Sequence, residues 1–165
     1  MHGVRLFVVA GLFVVAGCTS SDPGPPVDAA GAYLISTHNG PNDCAFGGWT
    51  VDATAAGVPL DITQRGSDVT ANVGGVTATA MDIVFGSHTF TGYVGGSTLH
   101  LTLTGTRAGS MGACAYTVDG NATATLSGDA LDGAIYYEPQ TNNSPDCGVL
   151  NTCRNRQDFN GTRPP

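Results

Sequence analysis

Residues 121–137 read Asn-Ala-Thr-Ala-Thr-Leu-Ser-Gly-Asp-Ala-Leu-Asp-Gly-Ala-Ile-Tyr-Tyr. Ala122, Ala124 and Leu126 alternate with Thr123 and Thr125. After the turn signal Ser127-Gly128-Asp129 the alternation resumes with Leu131, Gly133, Ile135 and Tyr137. Successive side chains of an extended strand point to opposite faces, so this period of two gives one dry face and one wet face on each arm of a hairpin.

The same period runs outward from this hairpin. Towards the N-terminus the apolar sets are Cys114, Tyr116 and Val118; Leu99, Leu101 and Leu103; Phe90, Gly92 and Val94; Val76, Ala78 and Ala80; Val69, Ala71 and Val73; Val58, Leu60 and Ile62; and Tyr33 with Ile35. Gly-rich turn signals separate most of them: Arg65-Gly66-Ser67, Gly74-Gly75, Gly86-Ser87, Gly95-Gly96-Ser97 and Asp119-Gly120-Asn121. Ile83 and Phe85 fall on the opposite parity from Ala80, which predicts a β-bulge near Met81-Asp82. No stretch after residue 30 carries a convincing helical period. The reading is an all-β chain of eight to ten antiparallel strands in an up-and-down meander. With no helix to cover its edges, such a sheet closes into a small barrel or, as the alternative, folds into a β-sandwich.

A local unit recurs at Phe90-Thr-Gly92, Leu103-Thr-Gly105, Leu131-Asp-Gly133 and Phe159-Asn-Gly161. Glycine inside a strand lets the sheet kink, as a small barrel requires. The last copy predicts a closing strand over residues 157–163 that pairs back to the first. Three regions break the alternation: 38–57, with Cys44 and Trp49; 105–112, with Arg107 and Met111; and 138–156, with two cysteines. Long loops at a barrel end are where recognition concentrates.

The N-terminus has a different character. His2 and Arg5 precede the apolar run Leu6–Ala16, which is too short to span a bilayer but has the length of a signal-peptide core. Val15-Ala16-Gly17-Cys18 follows the order aliphatic, small, small, Cys. It resembles the lipobox of bacterial lipoproteins. The resemblance implies cleavage after Gly17 and a diacylglyceryl group on the Cys18 thiol, and two acyl chains anchor stably. Thr19, where Asp would signal inner-membrane retention, leans towards the outer membrane. The expected organisation is a signal peptide over 1–17, the lipidated Cys18 and a Pro-, Ser- and Asp-rich tether over 18–30, and one β-barrel domain over 31–165.

Removing 17 of the 165 residues leaves 148, a one-domain length. Arg5 goes with the signal, so five arginines face 13 acidic side chains, and the chain has no lysine at all. An acidic chain without a basic patch argues against nucleic acid and against electrostatic docking on anionic lipid. Beyond Cys18 there remain Cys44, Cys114, Cys147 and Cys153, an even number that reads as two disulfides in an exported chain. Of three possible pairings, Cys147–Cys153 with Cys44–Cys114 is preferred, and the other two stay open. No Cys-x-x-Cys is present to favour zinc, and His38, His88 and His100 lie at no metal-ligand spacing.

Gly47-Gly48-Trp49 resembles the Gly-x-Trp that opens the first strand of lipocalins, where the Trp plugs one barrel end and a late Arg packs on it. The resemblance implies that role for Trp49, with Arg154, Arg156 or Arg163 as partner; ordinary core packing of Trp49 is the other reading. With the Gln64-Arg65-Gly66 turn and the paired late cysteines, the body is also similar to small, low-lysine, disulfide-bonded β-barrel lipoproteins of Gram-negative bacteria. That similarity brings no mechanism. No Gly-x-Ser-x-Gly elbow is present, and a lone Glu, Glu138, leaves no carboxylate pair for glycoside hydrolysis. The expectation is a monomeric, membrane-anchored envelope protein that is not an enzyme, holds no cofactor and binds a small or apolar ligand in its barrel mouth or loops. The alternative is a structural or inhibitory protein-interaction module. Small barrels of this general kind include inhibitors of lysozyme and of proteases, which insert a loop into the enzyme cleft.

Overall fold

The computed structural model describes residues 24–164; the signal segment, Cys18 and the first part of the tether lie outside the described residues. Among the described residues the chain forms nine β-strands: β1 (Gly31–Asn39), β2 (Thr54–Arg65), β3 (Asp68–Val73), β4 (Thr89–Gly95), β5 (Thr98–Leu103), β6 (Gly109–Met111), β7 (Cys114–Ser127), β8 (Ala130–Thr141) and β9 (Asn155–Thr162). One helix, α1 (Gly75–Val84), joins β3 to β4, and a 3-10 turn, Pro145–Asn151, precedes β9. Every neighbour pair is antiparallel, in the order β1-β2-β3-β4-β5-β7-β8-β9 and back to β1. This is a closed eight-stranded up-and-down barrel, with β6 paired to the outer end of β7. The alternation forecast the inward faces: Tyr33, Leu60, Val69, Phe90, Leu99, Leu103, Leu126, Leu131 and Phe159 are all buried in one core.

The two ends differ. At one end β2–β3, β4–β5 and β7–β8 turn in two residues, Gly66-Ser67, Gly96-Ser97 and Gly128-Asp129. Each Gly has positive φ (64°, 56° and 61°) and the residue after it does not, the pattern of a type II′ hairpin turn. The described chain enters here, and the entry is sealed. Val27 N–H donates to Gly96 O at 2.9 Å. Ala29, fully buried, donates to Gln64 Oε1 at 2.7 Å. The Tyr33 hydroxyl donates to Ala29 O at 3.0 Å. Arg163 then closes the end: its guanidinium lies 5.7 Å from the Tyr33 ring and donates to Ala30 O and Asp129 Oδ1 at 2.6 and 2.9 Å. Residues 27–30 are therefore held against this end of the barrel. At the other end all the long connections gather: 40–53, α1 with its flanks, 104–113 and 142–154.

Two expectations are corrected. Residues 74–86 are not a bulged strand. β3 pairs directly with β4, and the residues between them wind into α1. Thr77, Ala80, Met81 and Val84 carry the i, i+3, i+4, i+7 spacing of one helix face and all line the barrel mouth. In a Thr/Ala-rich run the two periods overlap, and small side chains give no decisive contrast. The preferred disulfide pairing is also overturned: the bonds are Cys44–Cys153 and Cys114–Cys147. Cys147 lies within the 3-10 turn and bonds the start of β7, while Cys153 lies just after the turn and bonds the β1–β2 loop, so proximity in sequence did not select partners.

The four recurring glycines do what a narrow barrel needs. A Cβ built on Gly92, Gly105, Gly133 or Gly161 would fall under 3.0 Å from the backbone of the adjoining strand, against His100 O, Val118 O, Thr123 O and Leu34 O. Neighbouring strands thus coil more closely than any side chain allows. Gly133→Ala should destabilise the fold by about 1–3 kcal/mol, the cost of overpacking a well-filled interior, whereas Gly47→Ala, with open space around it, should not. Urea unfolding midpoints of the two variants measure the difference; equal midpoints would refute the close-approach argument.

Candidate functional site

The lower barrel is filled. Between Leu60, Ile62, Leu99, Leu101, Leu131 and Phe159 there remains only about 40 Å³ of free space, little more than one water's share of liquid volume. The upper barrel is open. A cup of about 450 Å³ opens at the loop end, within the range of small-molecule sites. Its floor is made by Ile35, Val58, Val73, Phe90, Val118 and Ile135 from the strands. Its walls come from the connections: Phe46 to Trp49 from the β1–β2 loop, the inner face of α1 with Phe85, and Arg107 to Gly109 from the β5–β7 connection. All three pattern-breaking regions lie at this end, and two supply cup walls.

Aromatic packing shapes the cup. Phe85 stacks on Tyr137 with ring centroids 5.1 Å apart and planes 4° from parallel, and Trp49 meets the same ring edge-on at 5.8 Å. The offset stack and the edge contact are the favoured aromatic geometries. Tyr137 is buried, and its hydroxyl donates to Gln157 Oε1 at 3.1 Å. Gln157 Nε2 donates to Asn39 Oδ1 at 2.7 Å, and Asn39 Nδ2 to Thr50 O at 3.0 Å. This polar chain fixes one wall and ties the β1–β2 loop to β9.

The β1–β2 wall loop and the segment before β9 have no sheet to hold them, so covalent and polar ties do it. Cys44–Cys153 joins the β1–β2 loop to the segment before β9, and Cys114–Cys147 joins the start of β7 to the 3-10 turn. They bracket a second small core with Leu150, Phe46 and Tyr116. Fully buried Asn155 accepts from Cys44 N–H at 2.9 Å and donates to Asn42 Oδ1 at 2.9 Å, so its amide is paired on both sides. Asn42 in turn holds Phe46 through both its N–H and its carbonyl. Closing chain separations of 109 and 33 residues, the two bonds contribute about 5 and about 4 kcal/mol in the chain-entropy account.

Trp49 differs from its lipocalin-like reading. It sits in a loop at the open end, not on the first strand, and its indole N–H donates to Gly40 O at 3.0 Å. Among the described residues no arginine stacks on it: Arg154 and Arg156 lie over Tyr136 on the outside, and Arg163 over Tyr33. The aromatic–arginine plug exists at the opposite end, formed by Tyr33 and Arg163. The histidines are scattered over the surface. His38 approaches Asp52 at 3.6 Å, His88 bonds Asp82 at 2.8 Å beside α1, and His100 stacks on Tyr93 on the outer wall. Among the described residues no three His, Cys, Asp or Glu side chains come close enough to hold a metal ion, and no helix is long and apolar enough to cross a membrane. Comparison with protein-family models, with curated proteins and with solved structures finds no match.

Burial pushes the Tyr137 phenol well above its ordinary value of 10.0. Burial also raises Tyr33, with the Arg163 cation opposing it. Both groups ionise later in the folded chain than in the unfolded one. Their contribution is complete below the ordinary tyrosine value and is lost as pH climbs above it. Alkaline unfolding should therefore set in above about pH 10, with the phenolate absorbance of Tyr137 appearing together with loss of the far-ultraviolet signal. Tyr137→Phe should make the pH dependence of stability above that point shallower; an unchanged slope counts against the assignment.

Proposed function

We propose that this chain is a lipid-anchored envelope protein, without enzymatic activity, whose barrel binds a small apolar ligand. The observation that carries the reading is the contrast between the two halves of one barrel. The lower half is packed to closure, while the upper half leaves a cup of about 450 Å³ walled mainly by Phe, Trp, Met, Val and Ala side chains. Filling that space would need only larger side chains on α1 or the loops, and the chain has Ala80, Gly47, Gly48 and Ala108 there instead.

The polarity of the domain supports the anchoring half of the proposal. Residues 27–30 are fastened to the closed end by Gly96, Gln64 and Arg163. A lipid on Cys18 would therefore hold the closed end and leave the cup free. The lipobox implies the lipid, and Thr19 favours the outer membrane of a Gram-negative bacterium. A second reading, the protein-interaction module, draws on Val51, Val76, Ile83, Val84, Met111 and Val149, large apolar side chains exposed around the loop end.

Two measurements test the proposal. Radioactive palmitate should label the wild-type chain and leave Cys18→Ala unlabelled; persistent labelling would remove the anchor. The single Trp of the sequence, Trp49, lines the cup and reports on its contents. The apolar dye N-phenyl-1-naphthylamine should quench Trp49 fluorescence on binding, and Ala80→Phe combined with Ala108→Phe should weaken that binding by at least about tenfold, as expected when a pocket of this size is occupied. Equal binding to the filled variant, or none to the wild type, would sink the cup and favour the protein-interaction reading.

A further inference from the structure

Arg107 is the one charged side chain among the described residues lining the cup. It is held there from the backbone. The carbonyl of Phe85, at the end of α1, accepts from Thr106 N–H at 2.7 Å and from Arg107 N–H at 3.1 Å, and two residues later the chain pairs with β7 through Gly109–Tyr116. The position next to a helix C-terminus suits a cation. Its guanidinium nevertheless has no side-chain hydrogen bond or ion pair among the described residues, unlike Arg156 and Arg163, which pair with Asp158 and Asp129. The remaining arginine at this end, Arg154, stacks on Tyr136.

From this geometry we infer that the cup takes an apolar molecule ending in a single acidic group, a medium-chain or aromatic monocarboxylic acid, with Arg107 as its counter-ion. The inference rests on the ligand-binding reading above and narrows it. Arg107 is exposed at the mouth of the cup, so it attracts an acidic group held there and repels an amine, while a neutral head group gains nothing from it. A carboxylate also matches the planar fork of the guanidinium. The apolar body would lie against Phe90, Ile135 and Met81. At about 30 Å³ per water-sized group, the cup of about 450 Å³ holds on the order of fifteen such groups, the size of dodecanoate.

The test uses residues 18–165 with Cys18→Ala, secreted behind a signal that lacks a lipobox. Every element of the fold lies within this chain, and no acyl group of its own competes for the cup. Calorimetric titration should show dodecanoate binding at least about tenfold tighter than dodecan-1-ol, the scale of one charge-assisted hydrogen-bonded pair, and dodecylamine weakest of the three. Arg107→Met should abolish the preference for the acid and leave dodecan-1-ol unchanged. Arg107→Lys should retain part of the preference, and Arg107→Glu should reverse it towards the amine. Equal affinity of acid and alcohol for the wild type, or a parallel loss of both in Arg107→Met, would overturn the inference and leave the apolar cup standing. Failure of all three ligands, together with failure of N-phenyl-1-naphthylamine, would overturn the cup as well.

Discussion

The pairing of β1 with both β2 and β9 closes the sheet, and everything else in the domain follows from that closure. Eight strands around one axis enclose little space, so the strands must coil tightly and the inward side chains must fit a taper. Gly92, Gly133 and Gly161 meet the first requirement by letting adjacent backbones approach where any Cβ would collide. The second is met unevenly. Tyr33, Leu99, Leu126, Leu131 and Phe159 fill the lower barrel, while higher up the strands give way to long connections, of which only the β5–β7 one is ordered in part by a neighbouring strand.

That divergence decides where the other stabilising devices sit. The closed end needs none beyond tight turns and the Tyr33–Arg163 seal. At the open end the connections 40–53 and 142–154 have no strand of their own, and there both disulfides, the doubly paired Asn155 and the Asn42–Phe46 clamp are found. A loop fixed at both ends by covalent and buried polar ties presents a wall of constant shape. α1 is the exception. Met81 is its one buried residue and its outer face, with Val76 and Ile83, is exposed, so it is the wall least constrained by packing.

Much of this was legible in the sequence, and the limits have physical causes. Period-two alternation identifies an inward face wherever large and polar residues alternate, as in Leu99-His100-Leu101-Thr102-Leu103, and it located the strands of the barrel. It fails at Val76–Ala80, where small Ala and Thr satisfy a helical and an extended period equally, and the choice falls to tertiary context. Disulfide partners depend on which loops share a barrel end. That is a property of strand direction rather than of spacing, and it separated Cys147 from Cys153. The Phe-x-Gly and Leu-x-Gly units were readable because glycine at an inward position has a steric meaning. Trp49 packs against the core, the other of its two readings; the resemblance could not place it, because three residues carry no information about which end of a barrel they occupy. Arg107 was visible only as a residue in a Gly-rich loop; its isolation from every acidic partner exists only in three dimensions.

The asymmetry of the barrel bears on how an anchored protein of this kind could work. Were the cup at the end where the tether enters, a lipid on Cys18 would press the opening against the bilayer. An apolar cup there would compete with a far larger apolar phase. With entry and opening at opposite ends, the cup of a lipid-anchored domain would stand clear of the bilayer, and a ligand would cross water to reach it. An apolar acid is sparingly soluble but does cross water as its anion. The chain is acidic overall, with a formal net charge of −7, and would repel that anion at long range, so under the proposed function a local cation at the rim is what would favour capture once contact is made. Arg107, with its backbone tied to Phe85 and its exposed guanidinium unpaired among the described residues, would meet that requirement.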